Sequence, residues 1–134
     1  MQVAEARYEV ACELSVEEAT EQITAALARR GFSVLWALDV NQKLAEKGLV
    51  LGLPYRILEV CNAPRAKEAL ESNPAVGFYL PCKVVVYARD GRTHVGFPRP
   101  ESLIGLVGDP QLKALADEVG RVLFEAVNEV GGVG

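Results

Sequence analysis

The chain has 134 residues, half of them hydrophobic and 24% charged, with a formal net charge of −4. That is the balance of a folded globular domain rather than a disordered chain, and the length suits one domain that needs no disulfide or metal to fold. The acidic balance speaks against nucleic-acid binding, since the longest basic cluster is Arg29-Arg30 and useful affinity takes several phosphate contacts.

No apolar run approaches the ~20 residues of a membrane span. The first residues, Met1-Gln2-Val3-Ala4-Glu5, lack the basic-then-apolar order of a signal peptide. A cytoplasmic location is expected, without membrane contact. The odd number of cysteines, three, fits reduced thiols there.

Residues 7–14 alternate. Tyr8, Val10, Cys12 and Leu14 point one way, and Arg7, Glu9 and Glu13 the other, which describes a strand with one wet face. Ser15 with Glu18 has the capping-box spacing, and Ala19, Ile23, Ala26 and Leu27 recur at helical spacing until Gly31. Residues 32–38 read as a second strand. Asp39 caps a short second helix, with Gln42 three residues on, Leu44 apolar and Gly48 closing it.

Residues 55–61 form a third strand. Asn62-Ala63-Pro64 opens a third helix and Asn73-Pro74 stops it, because the residue before proline resists helical geometry. Residues 83–88 and 93–97 flank Asp90-Gly91, a strong hairpin signal, so these strands pair antiparallel. A broken apolar connection follows, with a turn of helix over residues 102–106. Asp109-Pro110 then starts a terminal helix whose stripe runs through Leu112, Leu115, Val119, Val122, Leu123, Ala126 and Val127. The Gly-rich tail after Glu129 is expected to fray.

The order is β-α-β-α-β-α-β-β-α over a single α+β domain, residues 1–134, with its core in about 5–130. The expected architecture is two-layered: a mixed, mainly antiparallel sheet with helices packed on one face. The other face of so apolar a chain invites a partner, so a homodimer is expected.

No phosphate loop, nucleophile elbow, Cys-x-x-Cys pair or His-Glu-x-x-His motif is present. The single histidine, His94, falls in a strand and reads as outward-facing. Cys61 meets the start of the third helix, whose dipole favours a thiolate, and Cys82 follows Pro81 at the start of the next strand. If those strands are neighbours, the two thiols come close; otherwise both are small buried residues. Their spacing to His94 is unlike zinc patterns, so no metal site and no cofactor is assigned. Glu59 interrupts an apolar strand and is either on the wet face or a carboxylate aimed into a pocket. Trp36, Tyr55, Phe78 and Tyr79 either line an apolar pocket or pack in the core, the usual place of aromatics at strand positions.

Three stretches carry a family resemblance. They are Ala37-Leu38-Asp39-Val40-Asn41-Gln42-Lys43-Leu44 running to Gly48-Leu49; Tyr55-Arg56-Ile57-Leu58-Glu59-Val60-Cys61-Asn62; and Leu80-Pro81-Cys82-Lys83-Val84-Val85-Val86-Tyr87. Together they resemble the family called domain of unknown function 302, over about residues 5–130. The resemblance implies a compact α+β fold, a dimer and a cytoplasmic setting, and it supplies no reaction. Many similar members carry proline directly after the asparagine, where this chain has Ala63. Other branches carry a histidine near the position of Asp39 and lack the cysteine. The strand-to-helix turn at Asn62 is what they share.

The expected function is therefore a non-catalytic homodimer that binds a small-molecule ligand or a protein partner near Asp39 and Asn62, with Glu59, Cys61 and Cys82 as further site residues. The alternative is a thiol-based redox or soft-metal site at Cys61 and Cys82. A third reading makes Glu59 or Asp39 an enzymatic base.

Overall fold

The computed structural model describes residues 6–132. Residues 1–5, on which the signal-peptide argument rests, and residues 133–134, the end of the Gly-rich tail, lie outside it. β1 (Arg7–Cys12) leads into α1 (Val16–Ala28) through the capping box read from the sequence: Ser15 Oγ accepts from the Glu18 amide, and Glu18 Oε1 accepts from the Ser15 amide. β2 (Ser33–Asp39) passes straight into α2 (Val40–Ala45), where Asp39 Oδ1 accepts from the Gln42 amide. β3 (Tyr55–Cys61) runs into α3 (Ala63–Ser72), capped by Asn62. A 3₁₀ segment, Pro74–Tyr79, follows before the hairpin of β4 (Cys82–Arg89) and β5 (Arg92–Pro98). At its tip Asp90 and Gly91 both take positive φ, as a tight two-residue turn requires.

After β5 come α4 (Pro100–Ile104), a 3₁₀ turn at Gly105–Val107, a second at Pro110–Leu112, and α5 (Lys113–Gly131). Asp109 caps the second 3₁₀ turn rather than α5 directly. The expected fraying after Glu129 is not seen before Gly132, because Val130 is buried against the core and α5 continues to Gly131.

The five strands form one sheet in the order β1-β5-β4-β3-β2, and all four pairings are antiparallel. α1 and α5 pack on each other and on one face of it. Between them lies the main core, in which Val10, Leu58, Val60, Val84, Val86 and Val95 of the sheet meet Ala19, Ile23, Leu27, Leu123 and Val127 of the helices. Each large aliphatic side chain buried there contributes about 1.5–3 kcal/mol relative to exposure. A smaller second core joins Ala69, Val76, Ile104, Leu112 and Ala116 beyond one end of the sheet.

The other sheet face carries no helix from the main core. Its residues fall in cross-strand rows fixed by the register: Leu38, Ile57, Val85, Gly96 and Glu9; Trp36, Glu59 and Lys83; Tyr55, Tyr87, His94 and Ala11. Tyr55, Tyr87 and His94 stack in a ladder, with centroids 5.4 and 5.1 Å apart. None of the four aromatics Trp36, Tyr55, Phe78 and Tyr79 is buried in the core: Tyr55 and Tyr79 are half-buried and the other two exposed. Trp36 is 55% exposed and Phe78 86% exposed. A bulge between Val34 and Trp36 turns the indole onto the open face, opposite Glu59.

Candidate ligand pocket at the Cys61–Asn62 turn

β3 and β4 are neighbours, and Cys82 lies opposite Val60. This register brings the end of β3 beside the start of β4. Asn62, at the head of α3, places its side chain next to both. Its Oδ1 accepts from the Arg65 amide at 3.2 Å, satisfying one of the unpaired amides of the helix start. Gly31, in the left-handed region at φ +84°, closes α1 against the same turn: a Cβ there would lie 3.5 Å from Asn62 Nδ2. The Leu80–Pro81 peptide is cis.

Cys61, Asn62 and Cys82 together line a pocket of about 290 Å³. Its walls come from both cores. Phe32, Val60 and Val119 belong to the main one, and Ala69, Ile104, Leu80 and Leu115 to the smaller one or its flank. The pocket is thus the seam between two apolar clusters. Arg65 is the one charged lining residue, and its guanidinium is held by Glu118 at 2.9 Å and Glu68 at 3.3 Å.

Burial decides the state of the thiols. It is the sole cause pushing Cys61 upward and the largest cause pushing Cys82 up to about 12, with Cys61 and Glu59 adding repulsion. The expected lowering by the α3 dipole does not prevail. The helix start is already capped by Asn62, and loss of hydration disfavours the thiolate more than the remaining amides favour it. Both cysteines are therefore neutral near pH 7.

The structure does not bring Asp39 or Glu59 into this pocket. Asp39 pairs with Arg56 across the sheet and at 3.2 Å side chain to side chain. It sits at the opposite end of β3 from Asn62: its partner Arg56 is six residues before Asn62, or roughly 20 Å of strand. The two helix starts grouped from sequence are two separate places. Glu59 projects from the other sheet face, its side chain 19% exposed, and pairs with Lys83 at 2.9 Å; the two line a second concavity of about 310 Å³ with Phe78, Tyr79, Pro81 and Cys82. His94 also lies on that face, on Tyr87.

Sequence reasoning missed Asn41. Its Nδ2 donates to the Leu53 carbonyl, and its Oδ1 accepts from the Tyr55 amide and from Arg56. One side chain thereby ties the connection before β3 to α2. Its position two residues after a cap was the available signal. A broad groove of about 1070 Å³ also crosses the open face, floored by Val85, Tyr87 and Gly96 and edged by Gly52, Leu53 and Pro54. Among the described residues, no group of three or more His, Cys, Asp or Glu side chains is placed to hold a metal ion. Nor is any helix there long and apolar enough to cross a membrane.

An antiparallel five-stranded sheet with helices on one face and an apolar seam at the β3–α3 turn defines an open-faced, two-layer α+β domain. A family model for a domain of unknown function, DUF302, matches residues 8–130, and the chain belongs to that family. It is similar to the crystal structure of an uncharacterized conserved DUF302 protein from Bacillus stearothermophilus. The TM-score is 0.90 and the identity 39%, covering 95% of this chain and 99% of that one. No curated protein matches the chain.

Proposed function

We propose that this domain is a cytoplasmic homodimer that binds a small ligand, without catalysis, in the pocket at the Cys61–Asn62 and Pro81–Cys82 turns. One observation carries the reading: three residues from two separate segments, Cys61, Asn62 and Cys82, converge with apolar side chains of both cores on a single concavity. Concave, mostly apolar sites with a few polar groups are where small molecules bind. Two of the polar groups at it already have structural work: Asn62 Oδ1 caps α3, and Arg65 is shared by two carboxylates. Glu59 and Asp39 are each paired with a cation outside the pocket, which favours binding over acid–base chemistry.

The homodimer is supported by the open sheet face, where Trp36, Leu38, Ile57 and Val85 share adjoining rows without a covering helix. A protein partner on that face in place of a second copy is the other outcome of the same test, a sedimentation measurement.

For the ligand, a thermal-shift screen of metabolites on the wild type and on Ala66→Phe, which fills the pocket from α3, is the test. Compounds that stabilise the wild type and leave the variant unmoved support the reading. Compounds that act equally on both, or none at all, overturn it.

A thiol-based redox or soft-metal site at Cys61 and Cys82 is a second reading. Its support is that the two thiols line one pocket and lie near enough for charge on Cys61 to oppose ionisation of Cys82. Burial weighs against it.

A further inference from the structure

The concavity at Glu59 and Lys83 is separate from the pocket at Asn62, although Leu80, Pro81, Cys82 and Ile104 wall both. Glu59 and Lys83 are the charged residues in its lining. They are cross-strand partners on β3 and β4, and Lys83 Nζ donates to Glu59 Oε1 at 2.9 Å. The sheet side of the concavity thus presents one positive and one negative charge side by side, with no net charge.

The pair has bonding capacity left. Among the described residues, Lys83 is the donor that reaches the Glu59 carboxylate, through one of its three N–H groups. The other carboxylate oxygen, Oε2, takes no hydrogen bond. No side-chain oxygen sealed from solvent lacks a partner among those residues, so Oε2 is open to an incoming donor. The Glu59 side chain is nevertheless only 19% exposed. Hydrogen bonds to a carboxylate with so little water around it are stronger than in open solvent.

The rest of the lining is largely apolar and stiff. Pro98 and Pro100 have no N–H to offer, and Phe78, 86% exposed, stands at the lip. An aromatic ring left in water at the edge of a concavity is a stacking surface. The volume, about 310 Å³, holds on the order of ten groups of ~30 Å³ each.

We infer that this concavity is a second binding site, for a small neutral amide carrying an aromatic ring. The amide N–H donates to Glu59 Oε2 and its C=O accepts from Lys83 Nζ, while the Lys83–Glu59 bond stays in place. The ring lies against Phe78. A carboxylate would gain Lys83 but face Glu59, and an ammonium would gain Glu59 but face Lys83. An ester accepts from Lys83 and gives Glu59 nothing.

The experiment titrates the full chain with benzamide, methyl benzoate, benzoate and benzylamine near pH 7. Binding is followed by amide NMR shifts at Phe78, Tyr79, Lys83, Leu103 and Ile104. Benzamide should bind at least about fivefold more tightly than each of the other three, as the loss of one hydrogen bond to a charged group predicts. Glu59→Gln should bring benzoate level with benzamide, and Lys83→Gln should do the same for benzylamine. Phe78→Ala should weaken all four alike. These three side chains all reach solvent, and circular dichroism checks that each variant folds; the ranking on the wild type decides even if one does not. Any of the other three probes matching benzamide on the wild type overturns the inference. So does a ranking unmoved by Glu59→Gln and Lys83→Gln, or the absence of shifts with every probe. Ala66→Phe, which fills the other pocket, should leave benzamide binding unchanged. If it abolishes that binding, the amide sits beside Asn62, this inference falls and the first pocket stands.

Discussion

Tyr8 on β1 donates its phenolic hydroxyl to Asn128 Oδ1 on α5 at 2.6 Å, across 120 residues of sequence. Asn128 is 7% exposed and lies beside Val127 and Val130 on the buried side of α5. The Tyr8 ring meets Phe97 and Phe124 at 5.9 and 4.7 Å, with the Arg99 guanidinium 5.6 Å from its centroid. One residue thus closes the edge of the sheet against the terminal helix.

Tyr8→Phe keeps the ring and leaves a buried carbonyl oxygen without its donor. The expected loss is about 1–3 kcal/mol, read as a lower urea midpoint with an unchanged slope. Adding Asn128→Leu removes the orphaned group and should recover part of that loss. A double variant whose cost equals the sum of the two single costs would mean that the bond contributes nothing.

Gly96→Ala tests the same edge from the other strand. A Cβ at Gly96 would meet Glu9 Cβ and the Tyr8 carbonyl oxygen, both at 2.6 Å, so β1 and β5 must part or shift. A loss of about 1–3 kcal/mol or more is expected in chemical unfolding. Gly105→Ala is the control. Nothing lies within 4 Å of its Cβ position and its φ is −58°, so it should stabilise by about 0.4–1 kcal/mol. Equal effects at the two glycines would contradict the close packing of β1 on β5.

These contacts mark where the sequence stops being legible. Ser15, Asp39 and Asn62 could be read as caps because a cap and its amide lie within three residues. β3 was found to the residue, and the hairpin at Asp90-Gly91 to within one or two. The open face followed from the alternation of Arg7, Glu9 and Glu13. Trp36 was misread as core because a one-residue bulge reverses which way a strand residue points. The Tyr8–Asn128 bond and the pocket walls escaped notice for a different reason. They are assembled from distant segments that no local pattern links. The direction of the thiol shifts was likewise hidden, since the helix start is visible in sequence and the burial opposing it is not.

Thiol titration separates the two readings of the cysteines. With Cys61 raised by burial and Cys82 raised to about 12, alkylation at pH 7 should be slow at both and slower at Cys82. Rates should climb about tenfold per pH unit until each thiol ionises. The stability linkage has a definite sign. The folded pKa of Cys82 lies above its unfolded value, so its contribution is complete below about pH 9 and is lost as pH rises towards 12. A Cys82→Ala variant, measured against wild type between pH 8 and 11, should show a smaller alkaline decline. Fast labelling of either thiol in the folded protein at pH 7 would favour the redox or soft-metal site.

Asn62 can be divided into its two roles by substitution. Asn62→Ala removes the cap and should cost about 0.5–2 kcal/mol. Asn62→Asp retains an acceptor for the Arg65 amide and adds a negative charge at the helix start, where the dipole favours it. It should fold about as stably as wild type. If ligand binding needs a pocket free of negative charge, Asn62→Asp weakens it without loss of stability. A variant that binds normally would show Asn62 to be a cap alone.

The homodimer is tested at the middle of the open face. Val85 is half-buried, with Ile57 on one side and Gly96 on the other in the same row. In a monomer a charge at this position stays in contact with water, so Val85→Glu should fold normally by circular dichroism. In a sheet-to-sheet dimer the same carboxylate is buried without a partner, at a cost of several kcal/mol. The expected result is a dimer mass for the wild type at tens of micromolar and a monomer mass for the variant, with a dissociation constant raised at least a hundredfold. Trp36→Ala, at the rim of the same face, should weaken association less. A wild type that sediments as a monomer, or a Val85→Glu variant that remains dimeric, would move the interface away from the open face and leave the aromatic ladder of Tyr55, Tyr87 and His94 facing solvent.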